Sequence, residues 1–222
     1  TLFIMGLAIF LIVTIGVSLM LGRYPISPDQ AIRMILGTVF PIEPSWTPQQ
    51  ETLFFNVRFP RIILAVMVGC CLAAAGAAFQ GTFQNPLVSP DILGASQGAA
   101  FGAAFALLLG LGAFTVSISA FCFSIITVLL VLLISARAKG NRVLVVVLAG
   151  VMISSLFSAG VSYIKLVADP QESLQAITYW LMGSLTGAKF DMTMVMAAIP
   201  MAIGLVVLLL LRWKINILTM GD

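Results

Sequence analysis

Charge is what this chain has least of. Only 9% of its 222 residues are Asp, Glu, Lys or Arg, while 61% are hydrophobic. A soluble domain carries roughly a quarter charged residues and needs them to cover its surface. A chain this poor in charge must have lipid as its main solvent, and a mean hydropathy of +1.14 agrees. Histidine is absent altogether. Without it, the three thiols of Cys70, Cys71 and Cys122 make no convincing metal site, and they read as small packing residues inside apolar tracts. No carboxylates cluster within those tracts either, which argues against a membrane-embedded enzyme. A phosphate-binding G-x-x-x-x-G-K-[ST] loop is also missing. The stretch Gly183-Ser184-Leu185-Thr186-Gly187-Ala188-Lys189 has the wrong spacing, and Phe190 follows its lysine. The chain is therefore not expected to be an enzyme, to hydrolyse nucleotide or to hold a cofactor.

What is present is a series of long uncharged tracts: 2–21, 62–90, 92–136, 143–164 and 192–211. A bilayer core about 30 Å thick takes about 20 apolar residues of helix. Barrel strands would be shorter and would alternate apolar with polar residues, which these tracts do not. Lipid cannot satisfy open backbone groups, so the tracts must be helices. The tract 92–136 is too long for one crossing and breaks at Gly110-Leu111-Gly112. The reading is an all-α polytopic helical bundle in a single domain, with six spans at 2–22, 62–83, 92–110, 114–136, 143–165 and 191–211. The first run is too long for a cleaved signal peptide and lacks a small-residue cleavage site. Because Thr1 is not a start methionine, a short head is expected to precede it.

Arg137, Lys139 and Arg142 crowd one short loop, and Arg212 and Lys214 follow the sixth span. The positive-inside rule puts both regions, and the N-terminus, on the cytoplasmic side. Arg23, Arg33, Arg58 and Arg61 then fall outside, diluted by Asp29, Glu43 and Glu51. On that outer side, Ser27 followed by Pro28 predicts a short helix over 28–37 that ends at Gly37 and lies on the membrane face. The stretch 41–48, with three prolines, predicts a loop. Residues 172–182 predict another short helix, with Tyr179 and Trp180 at interface depth.

Small residues recur every four positions along two spans: Gly69, Ala73, Ala77 and Gly81 in the second, and Gly94, Gly98, Gly102, Ala106 and Gly110 in the third. That spacing lines one helix face with minimal side chains and predicts close helix packing. Between the two spans runs Gln80-Gly81-Thr82-Phe83-Gln84-Asn85-Pro86-Leu87-Val88-Ser89-Pro90-Asp91-Ile92-Leu93-Gly94. Its prolines and amides cannot continue a lipid-facing helix. It reads as a turn with Asp91 capping the third span, as a polar constriction at a pathway's inner mouth, or as both.

Several motifs are ordered along the whole chain. Arg58-Phe59-Pro60-Arg61 leads into Ala65 and Val68-Gly69, then Gly76 through Gln80, then Asn85-Pro86-Leu87 and Pro90-Asp91-Ile92-Leu93-Gly94 with Ser96, Gly98 and Ala99. Leu148-Ala149-Gly150-Val151 and Tyr179-Trp180-Leu181-Met182-Gly183-Ser184-Leu185 follow. Together they closely resemble the FecCD/BtuC-like permeases, the membrane subunits of type II ABC importers for iron–siderophores, haem, cobalamin and related metal chelates. The resemblance implies ten helices per subunit, of which this chain covers about the first six. It implies a homodimer of permeases in the cell inner membrane, two ABC ATPase subunits and an extracytoplasmic substrate-binding protein, with no nucleic acid involved. It makes Arg58 and Arg61 candidates for docking the binding protein, and Asn85 and Leu87 candidates for the cytoplasmic gate. A second gate maps loosely to Asn141 and Arg142. Ser154, Ser155, Ser158 and Ser162 form one hydroxyl-bearing face, either lining the pathway or packing as small residues. Gly69, Gly76, Gly94, Gly98 and Gly102 fall to helix packing. An ion-coupled secondary transporter is the competing class, and it would have to use Asp91 or Lys165. The substrate stays open.

Overall fold

Backbone that crosses lipid must satisfy its own hydrogen bonds, and the computed structural model is helical throughout its regular parts. It describes residues 2–22, 24–38, 40–85, 89–138 and 142–219, apart from the side chains of Arg142 and Thr193. The helices are α1 (Leu2–Met20), α2 (Pro28–Gly37), α3 (Pro48–Leu53), α4 (Phe59–Thr82), α5 (Ala95–Leu108), α6 (Ala113–Arg137), α7 (Arg142–Val167), α8 (Ser173–Met182) and α9 (Met192–Thr219). A π turn, Phe54–Arg58, joins α3 to α4, and a 3₁₀ turn, Pro90–Leu93, precedes α5. Among the described residues no strand occurs.

Five helical stretches are long and apolar enough to cross a membrane: Leu2–Met20, Pro48–Thr82, Ala113–Arg137, Val143–Val167 and Met194–Thr219. The predicted span 92–110 is the exception to the expected six. Pro90 opens a 3₁₀ turn there, Gly94 adopts a left-handed φ of 71°, and Gly110 does the same at 67° beyond the other end. The helix left between them has 14 residues, or about 21 Å at 1.5 Å per residue, short of the bilayer core. It need not be longer, because α6, α7, α8 and the 3₁₀ turn pack around it. The second span differs in the other direction. The helix begins upstream of residue 62 and is continuous through the π turn into Pro48–Thr82. Phe59 N–H donates to the Phe54 carbonyl across the wide turn, giving the buried Pro60 ring room that a regular turn denies.

The chain forms two units. The first comprises residues 1–68 and 185–194. Its core is Leu19, Ile26, Ala31, Met34 and Phe54, with Trp46, Phe55, Phe59 and Ile62 packed against it. Helix α2 starts as predicted. Ser27 accepts from Gln30 N–H, and the Gln30 side chain accepts from Ser27 N–H, closing a capping box. Ala31 and Met34 face the core, while Ile32, Ile35 and Leu36 are exposed. Ser27→Ala is expected to cost about 1 kcal/mol locally, read as faster amide exchange across residues 29–31.

The second unit comprises residues 69–184 and 195–222. Its core has three clusters. One joins Leu93, Val131, Val146, Ala149 and Ile153. The others are Ala103, Ala106, Val116 and Ala120, and Ala104, Ile164, Ala168 and Ile177. Helix α5 contributes to the last two, which is why a helix built of alanine and glycine holds the unit together. Phe101 adds a ring cluster with Phe123 and Phe157, at centroid distances of 5.1 and 5.3 Å.

Candidate functional site

In the first unit the two arginines of the R-x-P-R motif both grip backbone carbonyls. Arg58 Nη1 donates to the carbonyls of Leu19 at 2.7 Å and Met20 at 3.1 Å, and its Nη2 donates to the carbonyl of Tyr24. Arg61 Nη2 donates to the Thr186 carbonyl at 3.1 Å, while its Nε is buried without a hydrogen-bond partner among the described residues. Phe190 lies against Phe59 with ring centroids 6.1 Å apart. The motif therefore ties the start of α4 to the end of α1 and to the segment before α9. Both arginines are half-buried.

In the second unit, α4 gives way at Thr82 to a turn. Gln84 takes a φ of 49°, and its Nε2 donates to the Leu218 carbonyl of α9 at 3.3 Å. Asn85 is exposed, and its N–H donates to the Gln80 carbonyl at 3.2 Å. Of the other gate candidates, Leu87 and Asn141 lie outside the described residues, as does the side chain of Arg142. Past them, Ser89 Oγ accepts from Asp91 N–H, and the Ser96 hydroxyl donates to the Asp91 carboxylate. Asp91 is thus engaged in the turn that precedes α5, but it does not cap that helix: the N-cap is Gly94, and no side chain bonds the first backbone amides.

That turn seats itself in α7. A Cβ on Gly150 would collide with the Ile92 carbonyl, and one on Gly94 would stand 2.5 Å from Ser154 Oγ and 3.2 Å from Thr127 Cγ2. Ser154 is consequently half-buried against the turn. Ser155, Ser158 and Ser162 are exposed; the Ser155 hydroxyl donates to the Val151 carbonyl, and that of Ser162 to the Ser158 carbonyl. With these hydroxyls returned to their own helix, α7 presents a weakly polar face beside exposed Met152, Leu156 and Tyr163.

The five packing glycines divide. Gly94, Gly98 and Gly102 make the expected close approaches; a Cβ on Gly102 would stand 2.5 Å from the Ser119 carbonyl, and one on Gly98 2.7 Å from the Phe123 carbonyl. Ser119 reinforces the first approach by donating to the Gly102 carbonyl at 2.7 Å. Gly69 and Gly76 have nothing within 4 Å of a Cβ among the described residues. Sequence reasoning missed Gly22, Gly150 and Gly160 as contact points. Gly22 stood just past an apolar run, where glycine commonly ends a helix, but nothing local marked its neighbour.

The profile of the FecCD transport family matches residues 10–222. The chain belongs to that family. Among curated FecCD relatives, it is 34% identical over 217 residues to the molybdate import system permease protein MolB of Haemophilus influenzae, covering 98% of this chain and 64% of that protein. It is 33% identical to the Fe(3+)-citrate import system permease protein YfmE of Bacillus subtilis, covering 99% of this chain and 63% of that one. A solved structure of a metal-chelate type ABC transporter in an inward-facing conformation superposes with a TM-score of 0.82 at 34% identity, over 98% of this chain and 64% of that chain. This FecCD chain thus spans just under two thirds of the length of these relatives.

Proposed function

We propose that this chain is the N-terminal part of the permease subunit of an ABC importer. With a second copy it would form the pathway for an iron–siderophore, or another metal-chelate or corrinoid substrate, delivered by an extracytoplasmic binding protein. Two ATPase subunits would supply the energy, and the permease itself would catalyse nothing. The observation that carries this reading is the family match over residues 10–222, supported by the similarity to a metal-chelate type transporter.

On this reading the chain forms one permease domain in the cell inner membrane, multi-pass, with α5 as a short sixth crossing beside the five long helices. The family's fold would hold ten. The end of α4 near Asn85 and Leu87 would lie at the cytoplasmic mouth together with Asn141, and the exposed face of α7 with Ser158 would border the pathway, with Ser154 anchoring the turn behind it. The start of α4 would face outward, where Arg58 and Arg61 would meet carboxylates of the binding protein, a geometry guanidinium suits. Coupling would come from a difference in affinity of ATP and of the binding protein for the two gate states. MolB and YfmE carry molybdate and ferric citrate in their names, so relatives at near-equal identity differ in cargo. This fits a selectivity that resides largely in the binding protein.

The test is co-purification of the full-length protein in detergent. A P-loop ATPase is expected in equal amount, with its hydrolysis raised by a substrate-binding protein. A protein that purifies alone and transports without ATP would sink this reading in favour of ion coupling.

A further inference from the structure

Helix α2 carries more apolar surface than the protein covers. One side of it belongs to protein. Ala31 and Met34 sit in the core with Leu19 and Phe54, the Gln30 amide donates to the Ser45 carbonyl at 3.2 Å, and a Cβ on Gly37 would stand 3.7 Å from Trp46 Cη2. The other side is open. At about 100° per residue, Ile35, Ile32 and Leu36 fan out in that order beside Ala31, and all three are exposed. Beyond them lie Asp29 and Arg33, paired at 3.0 Å one turn apart. A helix facing water would carry polar residues at those three apolar positions.

The depth of α2 says what meets them. Helix α1 has 19 residues, about 28 Å at 1.5 Å per residue, which just crosses a bilayer core about 30 Å thick. Its last turn therefore lies at the edge of the hydrocarbon. Ile15, Leu19 and Met20 of that end share one core with Ala31 and Met34, so α2 is held at their level and not above it. The backbone of α2 suits such a place. A capping box closes its start. At its end the Thr38 hydroxyl donates to the Ile35 carbonyl at 2.7 Å, and Phe40 N–H to the Leu36 carbonyl at 2.9 Å. Helix ends satisfied from within need little water.

We propose that Ile32, Ile35 and Leu36 are sunk in the lipid of the adjoining leaflet, with the Asp29–Arg33 pair at headgroup level, and that α2 is thereby a membrane anchor. The lipid surface of α1 continues onto this face. Because Phe54 opens the π turn and shares the core of Ala31 and Met34, lipid on one side of α2 and protein on the other fix the height of the start of α4. The charges of Asp29 and Arg33 offset each other, so apolar burial holds the helix in place.

Nitroxide labels on the full-length protein in phosphatidylcholine nanodiscs, with its own cysteines replaced by serine, test this. Ile32→Cys, Ile35→Cys and Leu36→Cys carry the label in turn, with Arg33→Cys as the control nearer water. The ratio of collisions with oxygen to those with a water-soluble nickel chelate is expected to be about threefold or more higher at the apolar sites than at the control, since such a face lies roughly 5–10 Å into the headgroup–acyl boundary. Apolar sites as open to nickel as the control would overturn the anchor. So would sites closed to both reagents, which would mean that a further segment of the protein or a second copy covers the face. Added binding protein should leave the ratios unchanged; a fall in both collision rates would make this a docking surface and sink the proposal too. If the label on Ile35→Cys disturbs α2, the Ile32→Cys and Leu36→Cys sites still decide. The anchor requires only that α1 crosses the membrane, so a protein that purifies without an ATPase fails the importer reading and leaves these ratios as they are.

Discussion

Gly98→Leu and Gly150→Leu are each expected to remove most of the folded protein, read as loss of the monodisperse peak in detergent and a collapsed thermal transition. At Gly98 even a Cβ would stand 2.7 Å from the Phe123 carbonyl and 2.8 Å from Thr127 Cβ. Thr127 has no exposed surface, and its hydroxyl is committed to the Phe123 carbonyl at 2.7 Å. At Gly150 the obstacle is the Ile92 carbonyl. Backbone cannot rotate away as a side-chain tip can, so α5 would have to separate from α6, or the turn before α5 from α7. Overpacking a core typically costs 1–3 kcal/mol and occasionally more, and about 3 kcal/mol would be a large fraction of a domain's stability. Gly6→Leu is the control: Gly6 lies in α1 with nothing within 4 Å of its Cβ. A Gly98→Leu protein that melts with the parent would refute the close approach.

On the proposed importer reading, Arg61→Glu is expected to weaken a binding protein's affinity for the assembled transporter by at least about tenfold. Truncating one partner of a buried charged pair at an interface costs about 2–5 kcal/mol, and reversing its sign adds repulsion. Arg61 is half-buried with one Nη on the Thr186 carbonyl, so its stem is held before any partner arrives and little ordering remains for binding to supply. Arg61→Lys keeps the charge but loses the fork, and should fall between. The loss should arise partly in the association rate and shrink as salt screens the encounter. Surface plasmon resonance at two ionic strengths separates these outcomes. Equal affinity for the parent and Arg61→Glu would remove Arg61 from the docking surface.

The two arginines also show how far sequence reasoning reaches. As a motif, Arg58 and Arg61 are equivalent, three residues apart, and the resemblance gave both one role. Their acceptors lie on segments far apart in the chain: Leu19, Met20 and Tyr24 for one, Thr186 for the other. Nothing in local spacing distinguishes them. The glycines repeat the lesson. The four-residue period runs equally through Gly69–Gly81 and Gly94–Gly110, yet Gly69 and Gly110 have nothing within 4 Å of a Cβ among the described residues, while Gly98 and Gly102 meet the backbone of α6.

Element ends were legible where the signal was chemical and local. Ser27 and Pro28 announce the start of α2, and the structure adds Gln30 to close a capping box there. The helix of the third span is shorter than its tract, because hydropathy measures how apolar a tract is, not where the backbone turns. Residues 92–94 and 109–110 are apolar enough to extend α5, but the 3₁₀ turn and the left-handed glycines end it early.

The sequence alone determined the solvent and the family. Transfer into lipid is a sum over residues, so charge-free tracts declare helices, and the motifs from Arg58 to Leu185 are read in order along the chain. Tertiary structure alone decided which small residues admit a neighbour, how long the third apolar helix runs and which carbonyls each arginine holds. Each of these depends on a carbonyl or ring brought in from a distant segment, and sequence spacing carries no record of that approach.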